Sequence, residues 1–192
     1  KDGNFLDEAT HQKTGVNIPH LRKSLDQHAK DQNQDSEEFR KKINSLHSKL
    51  FAYRKKRIHP QKDDKVLTDW NGLMISTFAQ SAKALNQKKY LNIAQKAADF
   101  CLSELRQKNG RLLKRWRKGK AGLPGHLEDY AFLTQGLLDL YEASFEIKYL
   151  RASIELVDLT LKHFEDRTEG GFFLTANDGE KLLIRAKEIY DG

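Results

Sequence analysis

Residues 67–85, LTDWNGLMISTFAQSAKAL, are matched sixty positions later by a related segment, LEDYAFLTQGLLDLYEASF, at residues 127–145, and this repeat indicates the fold. Both begin with leucine, a polar residue, aspartate and an aromatic residue. Apolar side chains then recur three and four positions apart, which is the spacing of one face of an α-helix. The pattern predicts helices at 68–85, with Thr68 as the N-cap, and at 127–145. Six side chains of the first helix are predicted to face inward: Trp70, Leu73, Met74, Phe78, Ala82 and Leu85.

The repeat extends beyond these two helices. A second helix is predicted in each unit, at 89–106 and at 148–164, and a further helix at 36–56 precedes both units. After each pair, Gly110-Arg-Leu-Leu113 overlies Gly170-Gly-Phe-Phe173, which predicts a short β-hairpin. Such helical pairs bury their faces only against neighbouring pairs. The fold class is therefore predicted to be all-α, either an open solenoid or a closed ring of inner and outer helices, and the hairpins favour the ring.

Composition and charge restrict the class of protein. With 38% hydrophobic and 32% charged residues, the 192-residue chain is typical of a soluble, helix-rich protein. It has no apolar run long enough to cross a membrane, and from its polar first residues we expect no export signal. The single cysteine, Cys101, lies in an apolar helical pattern, so we expect a core residue and a reducing, cytoplasmic location. Despite a net charge of +7, the basic clusters lack any zinc-finger or RNA-binding signature, so nucleic acid is not an expected partner.

The segment Asp63-Asp-Lys-Val-Leu-Thr-Asp-Trp-Asn-Gly-Leu-Met74 resembles the YyaL-type family, which includes the spermatogenesis-associated thioredoxin-like proteins. Further matching blocks lie at 3–5, 17–18, 122–132 and 187–192. The resemblance implies an upstream thioredoxin-like domain followed by an (α/α)6 toroid of six helical hairpins, similar to glycosidases and N-acylglucosamine 2-epimerase. Residues 1–192 are then expected to be the middle of that toroid, about three hairpin units. The upstream domain and the remaining hairpins would lie outside this chain.

Asp69 and Asp129 are the candidate catalytic residues. They occupy equivalent first-turn positions of two helices that should be neighbours in the inner ring, so both carboxylates are expected at the same mouth. Helices packed roughly 8–10 Å apart could hold the two groups near the roughly 6.5–9.5 Å separation of inverting glycosidases. One carboxyl group would protonate the leaving oxygen while the other activates water. The alternative is structural, since a helix dipole favours aspartate in the first turn.

Nine further residues are candidates for binding the substrate. An aromatic ring follows each aspartate and could stack on the apolar face of a sugar, and the polar candidates could hydrogen-bond its hydroxyl groups. Core packing, helix capping and stacking of a cation on a ring are the competing explanations. The nine residues are Trp70, Asn71, Arg115, Trp116, His126, Glu128, Tyr130, Lys187 and Glu188. We expect neither a metal nor a cofactor, because the sequence offers no metal-ligand spacing and no phosphate-binding glycine loop.

Two functions of different classes are compatible with these patterns. The leading hypothesis is an enzyme that hydrolyses or isomerises a small-molecule sugar or a similar polyol. An epimerase would need an acid and a base on opposite faces of the sugar, and the repeat supplies no histidine pair for this task. The alternative is a non-catalytic helical-repeat module that presents partners to the redox domain, or more weakly an open scaffold. In either case, no membrane contact is expected, and a toroid fragment should expose apolar faces through which it could form homo-oligomers.

Overall fold

A computed structural model describes residues 3–187. The chain divides into two compact units, Lys1–Lys62 and Asp63–Gly192. The candidate catalytic residues all lie in the second unit, which is therefore described in more detail. None of the helices within residues 3–187 combines the length and the apolar character that crossing a membrane requires.

The first unit contains α1, Leu25–Asp31, and α2, Ser36–Arg54. The Asp35 side chain accepts hydrogen bonds from the backbone N–H groups of Glu37 and Glu38, so α2 begins with a side-chain cap. The helix predicted at 36–56 is thus confirmed. The sequence pattern does not predict α1, because seven residues are too few to display a helical period.

The second unit alternates helical pairs with short strands. The elements are β1 Val66–Leu67, α3 Thr68–Leu85, α4 Lys88–Glu104, β2 Leu113–Arg117, β3 Lys120–Pro124, α5 Leu127–Ser144 and α6 Ile147–His163. The strands form an antiparallel sheet in the order β1-β2-β3, and Arg115 pairs with both Leu67 and Gly122. The turn between β2 and β3 places Lys118 and Gly119 at positive φ, which is typical of a two-residue hairpin.

The sixty-residue repeat is visible in the backbone hydrogen bonds that follow each helical pair. After α4, the Leu113 N–H donates to the Leu105 carbonyl at 2.8 Å. After α6, the Phe173 N–H donates to the Phe164 carbonyl at 2.8 Å. The predicted unit of helix, turn and helix is therefore confirmed in both repeats. The extended hairpin is confirmed after α4, whereas the described residues after α6 form only an isolated bridge between Glu165 and Phe172.

Helices α3 and α5 pack directly on one another, while α4 packs on α3 and α6 on α5. Two glycines set the distance between α3 and α5. A Cβ atom added to Gly72 would lie 2.4 Å from the Phe132 carbonyl carbon, and one added to Gly136 would lie 2.5 Å from the Gly72 oxygen. The backbones of α3 and α5 are therefore in direct contact at these two glycines. The surrounding core also includes Cys101, whose thiol pKa burial raises to about 12, consistent with the predicted core position.

The predicted inward face of α3 is wrong at four of its six positions, whereas Phe78 packs half-buried against the core as predicted. Trp70 is 67% exposed, and Leu73, Met74 and Leu85 are exposed as well. The buried face consists instead of Thr68, Asp69, Gly72, Ile75 and Ala79, and the close approach to α5 leaves no room for a side chain at Gly72.

The prediction of Thr68 as the N-cap of α3 is also wrong. Leu67 occupies the cap position in an extended conformation, and Thr68 is the first helical residue. The Thr68 hydroxyl donates instead to the Leu113 carbonyl at 2.6 Å. This bond ties the start of α3 to strand β2.

Candidate functional site

The two candidate catalytic aspartates lie at the N-terminal ends of α3 and α5, and one cation contacts both. The Lys114 Nζ atom, from β2, is 2.7 Å from Asp69 Oδ2 and 3.6 Å from Asp129 Oδ1. It also lies 4.0 Å from Glu128 Oε2. The structure therefore gathers three carboxylates around Lys114, and we call these four residues the carboxylate cluster.

Asp129 is the buried anchor of this cluster. Its side chain has no exposed surface. Oδ1 accepts a hydrogen bond from the Asp69 N–H at 3.1 Å, and Oδ2 accepts one from the His126 N–H at 2.8 Å. The carboxylate thus satisfies backbone donors at the starts of two helices, donors that would otherwise lack a partner within their helix.

Burial controls the ionisation of Asp129. It raises the pKa of this carboxyl group to about 6, although the hydrogen bond from His126 and the charge of Lys114 both act to lower it. For Lys114, burial acts to lower the pKa, but the bond to Asp69 and the charges of the nearby carboxylates outweigh it and raise the pKa. The cluster therefore combines a carboxyl group that holds a proton unusually close to neutral pH with a permanent cation.

Solvent reaches the members of the cluster to different degrees. The Asp69 side chain is 8% exposed, that of Lys114 is 22% exposed and that of Glu128 is 52% exposed. A ligand at this surface would therefore meet Glu128 and Lys114 first and Asp69 next, with Asp129 behind them.

Lys114 is the member that the sequence reasoning missed. It lies in a basic run, Arg111 to Lys120, that offers no feature to distinguish one lysine from another. Alternation along a strand could have provided a signal, because it directs Lys114 and Trp116 to the same face of β2. Knowing which face meets the helices, however, requires the pairing of β1 with β2.

The two aromatic candidates that follow the aspartates have different environments. Trp70 is largely exposed and is available to stack on a ligand. Tyr130 has no exposed surface, and its hydroxyl accepts hydrogen bonds from the Leu112 N–H at 2.9 Å and from Arg111 Nε at 3.0 Å. The two equivalent positions of the sixty-residue repeat thus carry an exposed ring, Trp70, and a buried ring, Tyr130.

Four other candidates surround the cluster or the strands beside it. Asn71 donates from Nδ2 to the Leu67 carbonyl at 2.7 Å. Trp116 packs edge-on against the ring of Phe100, with the ring centroids 5.6 Å apart. Arg115 is half-buried, and His126 is exposed at the start of α5.

The remaining two candidates belong to the end of the chain. Lys187 forms an ion pair with Asp166 and donates to the Gly170 carbonyl at 2.9 Å, so its contacts are with the loop after α6. Glu188 lies outside the described residues. Within residues 3–187, histidine, cysteine, aspartate and glutamate side chains form no group of three that could hold a metal ion.

The fold is that of (α/α)6 toroid proteins, which confirms the predicted fold class. Cellobiose 2-epimerase from Spirochaeta thermophila superposes with a TM-score of 0.54 and 20% identity, covering 60% of this chain and 30% of that chain. A GH76 α-mannanase from Bacteroides thetaiotaomicron gives a TM-score of 0.52 and 24% identity, covering 63% and 35%. A D-mannose isomerase gives a TM-score of 0.53 and 18% identity, covering 57% and 30%.

No family model matches the chain. Spermatogenesis-associated protein 20 of Homo sapiens is 38% identical over 188 residues, which cover 93% of this chain and 24% of that protein. The Mus musculus protein of the same name is 37% identical over equal coverage. The chain is therefore a homologue of spermatogenesis-associated protein 20, which confirms the resemblance to the YyaL-type family, and it spans 24% of the length of these relatives.

Proposed function

We propose that this chain is part of a carbohydrate-active toroid domain that hydrolyses or epimerises a small sugar. The observation that carries the proposal is the carboxylate cluster, in which the buried Asp129, with a pKa of about 6, lies beside Asp69 and Lys114. Structural neighbours named as a sugar epimerase, a sugar isomerase and a mannanase support the choice of substrate class.

The proposed roles follow from exposure and hydrogen bonding. Glycoside hydrolysis requires one carboxyl group that can give a proton and a second that acts as base or nucleophile. We assign contact with the sugar to Asp69, which is nearer the surface, and to Glu128, the exposed carboxylate of the cluster. Asp129 has no exposed surface and both of its oxygens accept backbone N–H groups, so we assign it the role of positioning Asp69. Trp70, exposed and next to Asp69 in sequence, supplies a ring that can stack on the sugar.

The wider setting is part of the same proposal. Because the chain spans only 24% of the human relative, we propose that residues 1–192 form the middle of a six-hairpin toroid in a longer protein. An upstream thioredoxin-like domain is proposed from the family resemblance. A cytoplasmic location is proposed because Cys101 is a buried free thiol, as is typical of proteins in reducing compartments.

The test uses the full-length protein that contains this chain. It is incubated with a panel of mono- and disaccharides, and products are separated by chromatography and identified by NMR. Asp69→Asn and Asp129→Asn are expected to abolish any new product, while Asp158→Asn, an exposed aspartate of α6, is the matched control and should retain it. A folded protein that converts none of the sugars would overturn the enzymatic proposal.

One observation favours a second candidate function. Both oxygens of Asp129 already accept backbone N–H groups, which is the arrangement of a residue that links two helices. A non-catalytic module that binds partners for a redox domain would need this link without any chemistry. In that case, partner capture should survive Asp69→Asn, and no sugar product should form with any variant.

A further inference from the structure

A separate cavity of about 560 Å³ lies in the second unit. Its walls come from the loop after α4, from the segment that joins β3 to α5 and from residues 175–182. His126, whose N–H binds Asp129, lines the cavity, whereas Asp69, Lys114 and Asp129 do not. The cavity is therefore a neighbour of the carboxylate cluster and not a part of it. Its volume falls within the roughly 300–1,000 Å³ that is usual for small-molecule sites.

One wall of the cavity is held rigidly. Arg111 Nη1 donates to both carboxylate oxygens of Asp178, at 2.8 and 2.7 Å. Arg111 Nε donates to the hydroxyl of the fully buried Tyr130, at 3.0 Å. His163 Nδ1 lies 3.4 Å from the same carboxylate. A ligand would meet this wall already formed, so little ordering would oppose binding.

The charges that line the cavity disfavour an anion. The Asp178 carboxylate neutralises the Arg111 guanidinium, and Glu180 adds a further negative charge. The side-chain amides of Gln107 and Asn109 supply neutral donors and acceptors. The polar part of the lining therefore suits an uncharged ligand with several hydroxyl groups.

The apolar part of the lining includes a residue whose conformation folding alone does not explain. Leu123 has φ +63, in the left-handed region that a leucine rarely adopts, and its side chain is 57% exposed. The strained backbone of Leu123 is therefore not offset by burial of its side chain. Local strain of this kind is often found at binding sites. Leu182, 43% exposed, also lines the cavity. The two leucines offer an apolar surface for the C–H face of a ring.

We propose that this cavity binds a neutral, monosaccharide-sized polyol, with its C–H face on Leu123 and Leu182 and its hydroxyl groups on Gln107, Asn109 and Asp178. The choice of a sugar rests on the proposed function, whereas the preference for a neutral polyol rests on the lining itself. The cavity is thus a binding subsite distinct from the carboxylate cluster.

The experiment measures sugar binding to the full-length protein by saturation-transfer NMR and by calorimetry, with glucose, mannose, N-acetylglucosamine and glucose 6-phosphate as probes. At least one neutral sugar is expected to bind, and the phosphate ester is expected to bind more weakly than glucose. Gln107→Ala should weaken the binding of the neutral sugar by a factor of about ten, the effect of one hydrogen bond. Gln61→Ala, an exposed glutamine of the first unit, is the matched control and should bind as the wild type does.

The variant Leu123→Gly distinguishes a loss of sugar binding from a loss of stability. Glycine relieves the left-handed backbone, so the midpoint of unfolding should stay the same or rise, while sugar binding should weaken severalfold. If neutral sugars bind equally well to Leu123→Gly, Gln107→Ala and wild type, or if none binds, the proposal of a subsite is overturned. If both variants bind more weakly but no sugar is converted, the subsite stands and the enzymatic proposal fails. If sugar is converted but the two variants bind it as the wild type does, the enzymatic proposal stands and the proposal of a subsite fails.

Discussion

The Asp129 Oδ1 atom accepts a hydrogen bond at 3.1 Å from the backbone N–H of Asp69, the residue at the equivalent position of the preceding sixty-residue repeat. The same carboxylate binds the N–H of His126 through its second oxygen. One side chain therefore connects the starts of two neighbouring helices, α3 and α5.

Asp129→Asn should destabilise the protein. An asparagine offers one oxygen to two N–H donors and directs its own amide N–H group at the other donor. Leaving one buried donor unsatisfied should lower the free energy of unfolding by about 1–3 kcal/mol at pH 7. Urea unfolding followed by circular dichroism measures the loss, and the exposed Asp158→Asn should change stability by less than about 0.5 kcal/mol. Equal stability of both variants would contradict the linking role.

The cost of Asp129→Asn should depend on pH. The pKa of Asp129 in the folded protein, about 6, lies above the ordinary value of 3.8, so the folded state binds more protons than the unfolded state between these values. The contribution of Asp129 to stability therefore falls as pH rises from about 4 to about 6, by up to about 3 kcal/mol. Unfolding midpoints of wild type and variant should draw together between pH 4 and pH 7. A gap that widens over this range would exclude the raised pKa.

Lys114→Met should place uncompensated carboxylates beside one another. We expect a loss of about 1–3 kcal/mol at pH 7, below the value for a fully buried ion pair because Lys114 is partly exposed. The loss should shrink at pH 5, where Asp129 takes up a proton. Lys114→Arg, which keeps the charge, should recover part of the stability. Carboxyl ¹³C NMR titration should show a higher pKa for Asp129 in Lys114→Met than in the wild type. An unchanged pKa would mean that the charge of Lys114 does not act on Asp129.

Gly72→Ala should be strongly destabilising. The added Cβ would lie 2.4 Å from the backbone of Phe132, and two packed helices cannot separate without losing other contacts. The expected cost is about 3 kcal/mol or more. Gly122→Ala is the control, since a Cβ there would meet nothing within 4 Å. Thermal unfolding of both variants measures the difference, and similar midpoints would mean that α3 and α5 are not in close contact.

The 192-residue chain, produced by itself, should self-associate. Trp70, Leu73 and Met74 form an exposed apolar strip on α3, 67%, 46% and 48% exposed. Multi-angle light scattering across a range of concentrations should show a mass above that of the monomer. Replacing the three residues with serine should restore the monomer. A wild-type chain that is monomeric at all concentrations would rule out this prediction.

Periodicity predicted the helices of the second unit well. The apolar spacing and the sixty-residue repeat located α3 to α6 to within about two residues of their ends, as helix assignments generally allow. The buried face of α3 could not be predicted in the same way. Large apolar side chains led to the prediction that Trp70 and Met74 are buried. The contact between α3 and α5 instead requires residues without a side chain, at Gly72 and Gly136.

The candidate site shows the same limit of sequence reasoning. Equivalence in the repeat identified Asp69 and Asp129, because sequence position alone relates them. It could not distinguish Trp70 from Tyr130, since the second ring is buried by contacts with Phe164 and with the loop that holds Arg111. Nor could it identify Lys114, whose position depends on how β2 is oriented toward the helices.

The contact between Gly72 and Gly136 also bears on how a ligand would enter. The two backbones approach each other directly at these glycines, so a rotamer change cannot loosen this contact. The pair should behave as one rigid body on the timescale of ligand exchange. Any opening that admits a sugar would then have to come from the β2–β3 hairpin, and hydrogen exchange should be faster in that hairpin than in α3 and α5.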